Sequence, residues 1–133
     1  MSDNLLPDGD PGRFEVVMGF ELDIWEHGRS RFRMKLGPQH LNRQGAPHGG
    51  VVAALLDAAG MFAGNTDAAT GERRKAVTVS MSTNFIGAAK GPELICDGAV
   101  LKAGRTTFFA EARVTDGEGG ALLASGQGAY RYL

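Results

Sequence analysis

Between Gly49 and Gly64 the chain is apolar on nearly every side of a helical wheel and carries one charge, Asp57. Val51, Leu55, Ala58 and Phe62 form one stripe at helical spacing, and Val52, Leu56, Ala59 and Ala63 form another. A helix of this kind is enclosed by other layers rather than laid on a surface. It falls short of the roughly 20 apolar residues that cross a bilayer, so it reads as a buried helix. The rest of the chain has to supply its cover.

That cover is written in alternation. Phe20, Leu22 and Ile24 alternate with acids, Glu26-His27-Gly28 punctuates, and Ser30, Phe32, Met34 and Leu36 alternate with Arg29, Arg31, Arg33 and Lys35. The pattern is a β-hairpin with one basic face, expected to be solvated. Asp10 and Pro11 signal a cap and first turn, predicting a short helix from Pro11 to Val17 that Gly19 ends. Residues 38–47 are irregular. After a polar turn region, Asn65 to Glu72, four strand-like runs follow: Ala76–Ile86, Glu93–Lys102, Thr106–Thr115 and Ala121–Tyr132. Lys90-Gly91-Pro92, Ala103-Gly104-Arg105 and Asp116 to Gly120 separate them with hairpin chemistry, which predicts an antiparallel meander. Hairpin, helix, meander is an α+β layout, with a single domain expected over residues 1–133.

Charge and cysteine usage narrow the function. Fourteen basic residues against 15 acidic ones leave a formal net charge of −1. Such a balance creates no field to recruit nucleic acid or an anionic membrane. One cysteine, Cys96, makes neither an internal disulfide nor a paired zinc or redox motif, which fits a reducing cytoplasm. The acidic start MSDNLLPDGD lacks a basic segment followed by an apolar one, so export is not expected. His27, His40 and His48 show no metal-ligand spacing, and no metal or separate cofactor is expected.

A carboxylate inside an apolar helix costs several kcal/mol to desolvate unless it finds partners or a wet cavity, which makes Asp57 the most informative residue. A structural charge tied to polar neighbours competes with a functional one. Asp57 is flanked at helical spacing by Ala53, Ala54, Gly60 and Met61, and the glycines at 60 and 64 imply that a backbone or ligand comes close there. The helix opens with His48-Gly49-Gly50, whose uncovered N–H groups lie at the positive end of the macrodipole, where an oxyanion can dock. Asn42 is placed either to add a donor there or to close its own loop. His48 suits a cap better than proton transfer. From Gly49 to Asp57 is about 12 Å along a helix rising 1.5 Å per residue. Base and oxyanion donor must both lie about 3 Å from the reacting group, so one chain places them poorly for a single carbonyl. A two-fold dimer with antiparallel helices would set each Asp57 opposite the partner's Gly49.

The spaced motif Asn42-x2-Gly45-x2-His48-Gly49-Gly50, followed by Leu55-Leu56-Asp57-Ala58-Ala59, resembles the signature of hotdog-fold acyl-CoA thioesterases of the phenylacetate-degradation type, in the 4-hydroxybenzoyl-CoA thioesterase superfamily. The likeness runs from about Gly19 to Tyr132 and includes Val77–Met81 and the Lys102–Arg105 turn. It implies a curved antiparallel sheet wrapped around the central helix, and dimers or dimers of dimers with shared sites. By resemblance, the Gly49 N–H polarises the thioester carbonyl, assisted by Asn42, while Asp57 of the partner activates water or attacks. His48 shapes the donor loop, and Thr78 positions the water, with Ser80 and Ser82 on its strand face as rivals.

The acyl group would lie along the small helix face near Gly50, Met61 and Phe85. Lys90, Arg105 and the Arg73-Arg74-Lys75 run are candidates for the coenzyme A phosphates. The substrate would be a small or medium, optionally aromatic, acyl-CoA. A serine hydrolase lacks its GxSxG elbow, and Gly126-x-Gly128 has no helix after it to make a dinucleotide site. The remaining alternatives are a hotdog hydratase or dehydratase, which needs a catalytic histidine, and a non-catalytic acyl-CoA sensor.

Overall fold

The computed structural model describes residues 12–133. Asp10 and Pro11, expected to start the first helix, lie outside these residues. The helix, α1 (Arg13–Met18), ends where Gly19 takes the left-handed conformation at φ 76° and returns its N–H to Glu15 and Val16 carbonyls. Strands β1 (Glu21–Glu26) and β2 (Arg29–Lys35) follow, then a 3-10 turn at Pro38–His40 and the long helix α2 (Gly49–Gly64). Strands β3 (Ala76–Phe85), β4 (Glu93–Ala103), β5 (Thr107–Asp116) and β6 (Leu122–Tyr132) complete one antiparallel sheet in the order β1-β2-β4-β5-β6-β3.

The hairpin and the α+β layout match the sequence reading; the meander does not hold for β3. β4, β5 and β6 are successive neighbours, but β3 crosses to the far edge and pairs with β6, from Ala76 opposite Tyr132 to Phe85 opposite Ala124. β4 is claimed on its other side by β2, whose Ser30, Phe32 and Met34 are buried, as are Leu94, Ile95 and Cys96 of β4. A strand between two neighbours under a helix must offer apolar side chains. β3, with Thr78, Ser80, Ser82, Thr83 and Asn84, suits an edge. The linker is correspondingly a strap rather than a hairpin turn. Ile86 and Gly87 donate their N–H groups to the Leu123 carbonyl, and Lys90 and Gly91 donate theirs to the Asp116 carboxylate.

One face of the sheet carries α2. Phe32, Leu55, Leu56, Phe62, Leu94 and Val114 form the centre of the contact, all at most 3% exposed. Gly98 of β4 lies directly under the Ala59 carbonyl, leaving no room for a Cβ. The helix is not enclosed all round, contrary to expectation. Ala53, Ala54, Asp57 and Met61 are only half-buried and Gly50 is exposed, so the small-residue side of α2 faces outward. Nor is the polar turn region wholly a surface feature. Asn65 and Thr66 are buried, and Asn65 accepts a 3.0 Å hydrogen bond from the Trp25 indole.

On the opposite sheet face the basic row is paired. Arg31 bonds Asp97 at 2.7 Å, Arg33 bonds Asp23 at 2.9 Å, and both reach Glu118 at 3.2 Å. This network ties the β5–β6 turn to the hairpin.

Candidate active site

Asp57 sits at the middle of the open side of α2, and its Oδ1 accepts a 2.8 Å hydrogen bond from the Thr78 hydroxyl. Half-burial raises its pKa above the ordinary carboxylate value, while the Thr78 hydrogen bond and the nearby Tyr130 hydroxyl pull it partly back. Desolvation is the largest of these influences, and it makes the carboxylate a stronger base than a free one.

The choice among Thr78, Ser80 and Ser82 is made by a β-bulge. β3 pairs Thr78 with Tyr130 but Ser80 with Ala129, so the register shifts between them. One extra residue reverses the facing of everything after it. Thr78, Met81, Thr83 and Phe85 consequently point toward α2, while Ser82 and Asn84 line a polar groove on the outer face with Glu111, Arg113 and Gln127. Ser80 and Ser82 thus do not share the strand face of Thr78, as simple alternation implied.

The N-terminus of α2 forms the second half. His48 is its N-cap, and its Nδ1 accepts the Gly50 N–H at 2.8 Å. The His48 carbonyl accepts the N–H groups of Val51 and Val52. That leaves the Gly49 N–H as the donor of the first turn with no acceptor among the described residues. Gly50, expected to offer its N–H to substrate, has spent it on the cap, because the His48 ring folds back over the turn. Asn42 closes its loop and keeps a donor: its Oδ1 accepts from Gln44 and Ala46 N–H at 2.9 and 3.1 Å. Those bonds fix the amide orientation and leave its Nδ2 hydrogens without an acceptor among the described residues.

Asn42 and Gly49 open on a cleft of about 240 Å³, lined also by Val52, Phe85, Ala88, Leu94 and Leu123. Phe85 thus lines the cleft. Met61 does not; it follows Asp57 by one turn on the open side of α2, half-buried, with contacts to both core clusters. Asp57 does not line the cleft either. The base and the donor lie at different levels of one helix, about 12 Å apart by helical rise.

The basic candidates divide the same way. Lys90 is exposed on the strap at the Gly49 end, whereas Arg105 is exposed on the β4–β5 turn, where its carbonyl accepts from Arg74 at 3.4 Å. Arg74 itself lies 3.6 Å over the Tyr132 ring.

Two residues that sequence reasoning passed over shape the site. His40 is 1% exposed; its Nδ1 accepts the Gly37 N–H and its Nε2 donates to the Met18 carbonyl, pinning the segment that leads to Asn42. Tyr130 is equally buried beneath Asp57. Only the spacing Gly126-x-Gly128-x-Tyr130, which lines glycine and tyrosine along one face of β6, hinted at it.

Comparison with known proteins decides the family. A family model described as the thioesterase superfamily matches residues 44–122. Human acyl-coenzyme A thioesterase 13 is 31% identical over 116 residues, spanning 86% of this chain and 81% of that protein. The chain belongs to the thioesterase superfamily. Among solved structures, the conserved protein PA5202 of Pseudomonas aeruginosa superposes with a TM-score of 0.82 at 27% identity, covering 96% of this chain and 100% of that one. BH2602 from Bacillus halodurans, solved with CoA, gives 0.76 at 25% identity, covering 90% and 78%. This superfamily member has the hotdog fold and is a thioester hydrolase, as the motif resemblance implied. No helix among the described residues is long and apolar enough to cross a membrane.

Proposed function

We propose that this thioesterase hydrolyses the thioester of a small or medium acyl-CoA, aromatic acyl groups included, to the free acid and coenzyme A. The observation that carries the reading is the pairing of two incomplete halves on one helix: a Thr78-held, partly desolvated Asp57, and an unspent Gly49 N–H at the mouth of an apolar cleft. Two chains related by a two-fold axis, with their α2 helices antiparallel, bring Asp57 of one to Gly49 of the other and complete two equivalent sites. The half-buried small face of α2 and the open edge of β3 favour such a homodimer, or a dimer of such dimers.

The carbonyl oxygen of the thioester would accept from the Gly49 N–H with the Asn42 amide beside it, at the positive end of α2. Asp57 of the partner takes a proton from water, oriented by Thr78, as that water attacks the carbonyl carbon. Alternatively the carboxylate attacks the carbon itself, and after the thiolate leaves, water hydrolyses the acyl-Asp57 anhydride to the free acid and the regenerated carboxylate. Collapse of the tetrahedral intermediate expels the coenzyme A thiolate. A backbone donor aimed at the developing charge is worth about 3 kcal/mol, and general base catalysis roughly 10²- to 10⁴-fold. The groups needed are protein groups and water, with coenzyme A entering as part of the substrate, and Lys90 and Arg105 are offered for its phosphates. A cytoplasmic setting suits both the substrate and a free thiol at Cys96. The relative named acyl-coenzyme A thioesterase 13 and the neighbour solved with CoA support this substrate class. A hydratase or dehydratase would need a proton-transferring histidine, and the Nδ1 of His48 is engaged by the Gly50 N–H.

The test is a panel of short, medium and aromatic acyl-CoAs with a thiol reagent. Free thiol released with at least one class supports the proposal. Saturable binding with no thiol across the panel replaces it with the sensor reading, and hydration of an enoyl-CoA replaces it with the hydratase.

A further inference from the structure

Beneath Asp57 the fold spends unusual effort on a single hydroxyl. Tyr130 of β6 is 1% exposed, and its ring stacks on Phe108 with centroids 4.8 Å apart and planes 11° off parallel. Phe108 in turn meets Tyr132 at 5.1 Å. The stack drives the Tyr130 hydroxyl into the underside of α2, where it donates to the Asp57 carbonyl at 3.5 Å. Two glycines make the space. A Cβ on Gly60 of α2 would overlap the hydroxyl, and a Cβ on Gly128 of β6 would lie 2.7 Å from its oxygen. Alanine is the better helix former, so glycine at position 60 in a helix interior needs such a reason. The close approach suggested by Gly60 and Gly64 thus comes from the sheet's own aromatic rings, since Phe108 occupies the corresponding space at Gly64.

We infer that Tyr130 is a positioning residue for Asp57: a buried phenol, seated between Gly60 and Gly128, that fixes the turn of α2 carrying the acid and lends its hydroxyl to the acid's environment. The inference rests on the reading of Asp57 as the acting acid. Tyr130 has no path to substrate, so it acts only through Asp57. It stays protonated, because burial, then the Asp57 charge, push its pKa up. The groups around Asp57 are few. Thr78 from β3 bonds its carboxyl, Tyr130 from β6 bonds its backbone carbonyl, Cys96 from β4 lies buried with its thiol toward the Leu55 carbonyl, and β5 contributes the apolar Phe108. No cation of the described residues figures among the influences on its carboxyl. One hydroxyl bonded to the carboxyl, and a second close beneath it on the backbone, therefore oppose desolvation.

The experiment compares Tyr130→Phe with Asp57→Asn in the full-length protein. Two quantities are read: the pH profile of kcat/KM, and the titration of Asp57 followed by ¹³C NMR of the labelled carboxyl, with Asp57→Asn assigning the signal. Phenylalanine keeps the stack and deletes the hydroxyl. The Asp57 titration and the acid limb should both move up by about half to one pH unit, with KM little changed. A merely structural tyrosine would alter melting and leave both curves in place, and that result overturns the inference. Gly60→Ala, which keeps the phenol but displaces it, serves as the second variant and should shift the titration the same way; an unmoved titration there also overturns the inference. Full turnover in Asp57→Asn would overturn the reading of Asp57 and this inference with it. Loss of turnover in Asp57→Asn with an unmoved titration in Tyr130→Phe would overturn the inference alone.

Discussion

Gly49→Pro isolates the proposed oxyanion donor. Proline at the first position of a helix is tolerated, since its missing N–H is one that no intrahelical carbonyl accepts. The site meets the other requirements. His48 precedes it at φ −61° and ψ 137°, the extended conformation that a residue before proline prefers. The Gly49 N–H has no partner to lose, and a Cβ there would lie 3.6 Å from the Phe85 ring, an ordinary contact. The folded state should therefore keep its stability or gain roughly 0.4–1 kcal/mol, because proline restricts the unfolded chain. Catalysis should fall by about 10²- to 10³-fold, or 2.7–4 kcal/mol, the loss found when one oxyanion donor is removed. Urea unfolding checks the first number and kcat/KM on a competent acyl-CoA checks the second. The shared site adds a sharper reading. Co-refolding Gly49→Pro with Asp57→Asn in equal amounts makes about half of all dimers mixed, each with one intact site, so about a quarter of wild-type activity should return. A folded Gly49→Pro protein within threefold of wild-type turnover would refute the donor assignment, and mixed dimers no more active than their parents would refute the cross-subunit geometry.

Asp57→Asn should lower turnover at least a hundredfold yet raise stability at neutral pH. The folded-state pKa of Asp57 is raised, so its charge opposes folding above the unfolded value near 3.9; the gain in the variant grows as pH rises through the folded pKa and vanishes below the unfolded one. Melting temperatures across pH 3 to 8 that run parallel for the two proteins would contradict this. Thr78→Val should shift the acid limb upward more than Tyr130→Phe, because its bond is 2.8 Å rather than 3.5 Å, and Thr78→Ser should restore it; equal pH profiles for Thr78→Val and wild type would remove Thr78 from the site. Gly64→Ala drives a Cβ into the Phe108 ring and should cost about 1–3 kcal/mol by overpacking, visible as a lower urea midpoint with unchanged slope.

What the residues determined locally is what local physics controls. The apolar run with one acid fixed a long helix and singled out Asp57; alternation and turn chemistry placed the hairpin and the other strands; His48 before Gly49-Gly50 marked a capped helix start. Those signals act within a few residues, through 3.6-fold and two-fold periodicity. The tertiary structure decided what depends on neighbours distant in the chain. β3 went to the sheet edge because β2 filled the side of β4 that a meander would have used. The bulge after Thr78 chose one hydroxyl among three, a matter of register against β6. Tyr130 came to lie under Asp57, 73 residues earlier, because the aromatic stack could seat only where glycines left room. Each is a contest for space between surfaces that meet only after folding, so no stretch of sequence read alone contains its outcome.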